Sequence, residues 1–360
     1  MKIKLDRDEL ITSLKHAKEI SGEPYADIVR VAVVKNDDKL KITLSSSSPG
    51  QWWQQDLFTS ISEKASDIET YIPITDVLKI LQTLPAGLVS VNFQLNRKSI
   101  VITRGKRTGK VPTSSSTIPD FGIDESQVFT FSGENTLANI VNDLCKVGVV
   151  GTGAFACTLF HPSGYCITTD SGNLICIPST IAISLNEKLM VPTTGLKPVG
   201  WLGDEIQLKI AGNILQFHSD TIRYYTAKSS VVDPGFWEVI SRFLDAEFTV
   251  FPVKDITQEL SAFQKATSGE VSAIILLNET TMALTTSKEP WHSHDYSSTI
   301  DIDEGCKVSF EVRPDNWIKI ASLLHGRIEV AKVNGSHIFL RDEEGRFGII
   351  SCIADTLEFD

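Results

Sequence analysis

The chain has 360 residues, 42% of them hydrophobic, with 34 basic and 45 acidic side chains and a formal charge of −11. That length and composition predict two or three domains with real cores and exclude a disordered chain. The charge excludes a body coated in basic surface, yet leaves room for a local basic face on an acidic protein. No apolar run reaches the roughly 18 residues that cross a bilayer. The polar start, MKIKLDRDEL, does not read as a secretory leader, so a cytoplasmic protein without membrane association is expected.

In the first third, IKLDRDELITSLKHAKEI (3–20) predicts a strand and then a helix with Leu10, Leu14 and Ala17 on one face. Strand-like KLKITLSSSS (39–48) ends in a Ser-rich turn, and YIPITDVLKILQTLP (71–85) predicts a second strand and helix. VSVNFQLNRKSIVITRG (89–105) reads as paired strands. The second third repeats the order. VFTFSGENTLANIVNDLCKV (128–147) places Leu137, Ile140 and Leu144 on a helix face, and GYCITTDSG (164–172) ends in a polar turn. LMVPTTGLKPVGWLG (189–203) and IQLKIAGNILQFHSD (206–220) follow. In the last third, FTVFPVKDITQELSAFQKAT (248–267) carries Ile256, Leu260 and Phe263 on one face. TTMALTTSK (280–288), FEVRPDNWIKIASLLHG (310–326) and IEVAKVNGSHIFLRD (328–342) complete it. We therefore expect an α+β fold of three similar domains, 1–124, 125–245 and 246–360, each with two helices packed on antiparallel sheets.

Acidic residues gather in the first turns of these helices, where they complement the helix dipole. Lys15, Lys18, Lys79, Lys146, Lys197, Lys265 and Lys319 come later in the same segments. They are either ordinary dipole partners on solvated faces or, if three repeats share an axis, the lining of one concave surface suited to a phosphate backbone. Arg104, Lys106 and Arg107 sit on a basic hairpin. RGKRTGK (104–110) fails as a phosphate loop, because its glycines are too close and Val111 replaces the hydroxyl residue. GTGAF (151–155) lacks the third glycine of a dinucleotide site. The six cysteines form no CxxC pair and read as reduced core residues, so no metal or other cofactor is expected. His292 and His294, with Asp295, read as an exposed loop before a weak metal site. No nucleophile elbow or metalloprotease motif occurs and no catalytic residue is assigned. A multi-domain interaction or structural protein and an enzyme with a dispersed site remain alternatives.

TTDSGNLICI (168–177) resembles the ATDGHRLAV strand-turn-strand of the bacterial DNA polymerase III beta subunit, the sliding clamp. LMVPTTGLKPVGWL (189–202), AKSSVVDPGFWEV (227–239), IPITDVLKILQTLPAG (72–87), TIPDFG (117–122) and GIISCIA (348–354) match further pieces of that family, in order along the whole chain. The resemblance implies a non-enzymatic ring: a head-to-tail homodimer whose helices encircle double-stranded DNA without reading its sequence. A clamp loader would open the ring, and the replicative polymerase would be tethered to it through a hydrophobic peptide groove.

Carried over residue by residue, the resemblance places that groove at Phe155, Thr169, Ser171, Gly172, Asn173 and Leu174, with Trp237, Arg242, Asn316 and the stretch Ile349, Ile350, Ser351, Cys352 and Ile353. It places the subunit interface at Val111 and Thr113, around Pro112, and at Ala266 and Thr267. Three departures stand out. Ser171-Gly172-Asn173 replaces Gly-His-Arg and removes a cation, Trp237 stands where the family commonly has proline, and the chain runs on through TLEFD. The tail's LEFD has the apolar-acidic pattern of a clamp-binding peptide, so occupation of a groove by the tail is a further expectation.

Overall fold

The computed structural model describes residues 1–36, 38–60, 67–119, 121–122, 127–131, 137–148, 152–203, 205–267, 271–287, 296–353 and 356–359. The histidine pair at 292 and 294 lies outside them. Among the described residues the α-helices are α1 (Arg7–Ile20), α2 (Ile74–Thr83), α3 (Leu137–Val147), α4 (Thr180–Ser184), α5 (Thr193–Leu196), α6 (Phe236–Ser241), α7 (Val253–Thr267) and α8 (Pro314–Ala321). None of them is long and apolar enough to cross a membrane.

Local chemistry sets these helices. The Asp6 carboxylate caps α1 by accepting from the backbone N–H of Asp8 and of Glu9. α8 opens on Pro314, whose missing N–H costs nothing in a first turn. The expected faces are buried: Leu10, Leu14 and Ala17 on α1, Leu137, Ile140 and Leu144 on α3, and Ile256, Leu260 and Phe263 on α7. Helices pair within each third, α1 with α2, α3 with α5 and α7 with α8.

The order strand, helix, three strands, strand, helix, three strands runs three times along the chain. The second third adds the short helices α4 and α6, and the last third adds a final strand, Glu358–Phe359. Contacts group the chain into two compact units, 1–136 with 201–227, and 137–200 with 228–360. Each unit contains one eight-stranded antiparallel sheet built from two different thirds. In the first unit, the fourth strand of the first third (Gln51–Ser60) pairs with the eighth strand of the second (Ile222–Ala227), and Trp52 stands opposite Tyr225. In the second unit, the fourth strand of the second third (Asn173–Pro178) pairs with the eighth of the last (Phe347–Ser351), and Leu174 stands opposite Ile349. Asn173–Pro178 is buried almost throughout because α3 and α8 cover one face while an apolar cluster with Leu174 and Cys176 covers the other.

The tail does not occupy a groove. Leu357 is only 1% exposed, and Glu358–Phe359 pair antiparallel with Val308–Ser309 on the chain's own sheet. Phe359 N–H also donates to Asn334 Oδ1 at 3.2 Å. An apolar side chain with a ladder available beside it is buried where the chain ends.

Candidate functional site

The polar turn between Tyr165–Thr169 and Asn173–Pro178 is held by its own side chains. Thr169 Oγ1 donates to Asn173 O at 2.6 Å. Asp170 Oδ1 accepts from the N–H of Gly172 at 3.0 Å and of Asn173 at 2.7 Å. Ser171 takes the left-handed conformation, φ +74. Two contacts with α8 fix the turn from outside: Lys319 Nζ lies 2.5 Å from Asp170 Oδ2, and Asn173 Nδ2 donates to Asn316 Oδ1 at 3.2 Å. Burial alone would raise the Asp170 carboxyl. Lys319 and the Asn173 and Gly172 N–H groups outweigh it and hold the group below its ordinary range.

Beside the turn lies a cavity of about 270 Å³. Thr169, Ser171, Gly172, Asn173 and Leu174 form one wall, Ile349 and Ser351 the floor, and Phe155 a lip. Pro234, Gly235, Phe236, Val239 and His337, none of them expected from the sequence, complete it. Phe236 rather than Trp237 faces this space. Asp233 Oδ1 accepts from the N–H of Gly235 and of Phe236, and Gly235 sits at φ +96, which fixes the phase of α6. One residue further, about 100° around the helix, Trp237 stacks on Tyr165 and His161, with centroids 5.1 and 5.2 Å apart. The Asp-Pro-Gly turn was the available signal for this phase.

Other expected members fall away for similar reasons. Side chains alternate along Phe347–Ser351, so Ile350 lies under α8 with Gly348, which packs near Ile320. Cys352 and Ile353 have left the groove and run beside Val312 and Glu311. Arg242 is exposed beyond α6 and does not line the cavity. Asn316 stands behind Gly172 and acts through Asn173.

No protein-family model and no curated protein matches the sequence. Solved structures do. A Helicobacter pylori beta clamp bound to a DNA ligase peptide superposes with a TM-score of 0.77 at 14% identity, over 98% of this chain and 100% of that one. The same clamp in complex with 5-chloroisatin gives 0.80 at 14% identity over the same shares. The DNA polymerase III beta subunit of Thermotoga maritima gives 0.77 at 13% identity, over 98% and 99%. The chain has the fold of a bacterial sliding clamp.

Within this clamp fold, some of the expected cations are exposed and others are engaged with named partners. Lys15, Lys106 and Lys265 are exposed, as is Lys197 at the end of α5. Lys18 donates to Thr75 Oγ1 and so joins α1 to α2. Lys79 and Lys146 pair with the aspartates three residues before them, Asp76 and Asp143. Arg104 donates to Leu88 O and Arg107 to Thr83 O, so both guanidinium groups cover the end of α2 and its loop. Lys319 is engaged with Asp170.

The expected interface residues are partly covered. Val111 is buried inside the first sheet and Thr113 half-buried. Ala266 is exposed at the end of α7, but Thr267 is 2% exposed and donates to Phe263 O. Among the described residues, Arg107–Pro112 in the first third and Ser297–Asp301 in the last each lie at one edge of a sheet.

Proposed function

We propose that the protein is a DNA sliding clamp, a non-enzymatic processivity factor of the cytoplasm. Two copies would close a ring around duplex DNA, a clamp loader would open it, and the replicative polymerase and other partners would dock in the groove. One observation carries this. The fourth strand of each third pairs with the eighth strand of the next, twice within the chain. The rule leaves one fourth strand, Ser297–Asp301, and one eighth strand, Arg107–Pro112, both at sheet edges and without a partner of that kind. Applied once more between copies, it would close a head-to-tail homodimer, each copy with three domains that we place at 1–124, 125–245 and 246–360. The seam then runs along Ser297–Asp301 rather than along Ala266 and Thr267.

DNA contact falls to Lys15, Lys18, Lys79, Lys106, Lys146, Lys197 and Lys265, with Arg104 and Arg107 beside α2. Contacts of this kind hold phosphates without selecting bases. The groove offers apolar walls with one polar end at Asn173, which suits a short hydrophobic peptide. The peptide-bound Helicobacter pylori clamp supports the assignment by its fold. The decisive experiment is retention on DNA. Protein placed on nicked circular DNA by a clamp loader should stay with the circle through gel filtration and leave when the circle is cut. Equal retention on linear DNA would point to ordinary binding, and no retention on either to an interaction protein without a DNA role.

A further inference from the structure

The four-stranded sheet of the first third has a face that neither the groove nor the helices use. Lys2–Asp6, Leu88–Gln94, Ser99–Arg104 and Arg107–Pro112 lie side by side in that order. Alternation divides their side chains between two faces. Ile3, Leu5, Val89, Val91, Ile100 and Ile102 are buried on one. On the other, Lys2 stands opposite Asn92, Asn92 opposite Val101, and Val101 opposite Lys110. The next row runs Lys4, Ser90, Thr103, Thr108. Lys2, Lys4 and Lys110 are exposed, as are Arg97 and Lys98 in the turn that joins the two middle strands.

Charge complementarity decides what such a face receives. The formal charge of the chain is −11, yet the single carboxylate of these four strands is Asp6, which is occupied in capping α1. A cationic face on an acidic body attracts a polyanion locally. Asn92, Thr103 and Thr108, set among the lysines, are the neutral side chains that share phosphate oxygens with lysine. Protein interfaces centre on aromatic anchors, whereas the centre of this face is Asn92 and Val101. Single-stranded nucleic acid is held by stacking on aromatic rings, and the only ring on these strands, Phe93, is on the buried face. A sheet of four strands is also too broad for a major groove that admits one helix or a two-stranded ribbon.

We propose that this sheet face is a docking surface for the outside of duplex DNA, held by its phosphates alone and separate from the helix lysines. Lys2 and Lys4 stand about 7 Å apart along their strand, and Lys2 and Lys110 about 14 Å apart across the sheet. Each strand of a duplex presents a phosphate roughly every 3.4 Å, so all three lysines meet one. The contact goes beyond the clamp reading and does not depend on a ring.

The test is binding of the full-length protein to relaxed, covalently closed circular plasmid without a clamp loader, measured by gel shift across a salt series. A closed circle does not thread a closed ring, so this substrate reads the outside of the molecule. Lys2→Ala with Lys4→Ala should weaken binding roughly tenfold at low salt and lower the salt slope by about two. Both residues are exposed and three strands away from the Arg107–Pro112 edge, so the melting temperature should not change. Thr108→Glu puts a carboxylate on the face without removing a lysine and should weaken binding in the same assay. Lys15→Ala with Lys265→Ala should leave plasmid binding unchanged. Wild-type binding in both the Lys2/Lys4 and the Thr108 variants would overturn the proposal, as would a loss confined to the Lys15/Lys265 variant, which leaves the clamp reading standing. Plasmid binding intact in the Lys2/Lys4 variant while binding to polyglutamate is lost would give the face to an acidic protein segment and overturn the duplex. If the protein fails the retention test on nicked circles but the Lys2/Lys4 loss is seen, the clamp reading fails and this surface stands.

Discussion

Phe155 and Phe236 face one another across the groove, with ring centroids 6.0 Å apart and planes 51° from parallel. Phe236→Ala should therefore weaken binding of a polymerase-derived peptide by about 2 kcal/mol or more. Trp237→Ala, which removes a ring stacked on Tyr165 outside the cavity, should leave that affinity within about 0.5 kcal/mol. Calorimetric titration of both variants checks the pair. A larger loss in Trp237→Ala would return that residue to the groove.

Asp170 ties the groove turn to α8, so Asp170→Asn should cost about 1–2 kcal/mol at neutral pH, toward the low end because Lys319 is one-third exposed. The sign follows from its depressed pKa. The carboxylate contributes fully above its ordinary value of 3.8 and loses that contribution as pH falls below it. Urea unfolding should separate variant from wild type at pH 7, and the separation should shrink progressively as pH falls below 3.8.

His16, His161 and His218 are each held below the ordinary value of 6.5, chiefly by burial. The unfolded chain takes up these protons first, so the native state should lose stability as pH drops below about 6.5. The melting temperature should fall between pH 7.5 and pH 5.5. His16 stacks on Trp201 at 4.2 Å, so His16→Phe should keep the stack and flatten part of that slope.

Leu357→Ala should destabilise the protein by about 2–4 kcal/mol, as truncation of a buried leucine does. It should leave peptide affinity unchanged, because the tail lies on its own sheet. A gain in peptide affinity would show that the tail competes for the groove after all.

Asp301 is exposed on one proposed mating edge, and Arg107 and Lys110 are exposed on the other. Asp301→Lys should weaken the dimer roughly tenfold, while Ala266→Asp should leave it intact. Sedimentation across a dilution series distinguishes the two variants, and the opposite ranking would restore the seam to the end of α7.

Much of the fold was legible because it is periodic. Leu10, Leu14 and Ala17 announce a half-buried helix wherever they fall, and the collinear order of elements carried the rest. The groove was half legible. Thr169, Gly172 and Leu174 follow from a turn that can be read in one segment, and Ile349 from strand alternation. Phe236 was missed because the choice between it and Trp237 depends on where α6 begins, which Asp233 and Gly235 set through hydrogen bonds and a single positive φ. Thr267 looked like a surface residue, yet its hydroxyl is satisfied by Phe263 O and its side chain is buried. Lys319 looked like one more helix lysine, and only the fold reveals an aspartate 149 positions earlier in the chain beside it.

The two eight-stranded sheets carry a practical consequence. A cut at 124/125 would strip Gln51–Ser60 of its neighbour Ile222–Ala227, and a cut at 245/246 would strip Asn173–Pro178 of Phe347–Ser351. Each fragment would display a raw row of amides and carbonyls, the template on which chains aggregate. The thirds are legible as copies, but they are not detachable parts: expressed singly they should precipitate, and protease should find the intact protein hardest to cleave at the strands that splice one copy to the next.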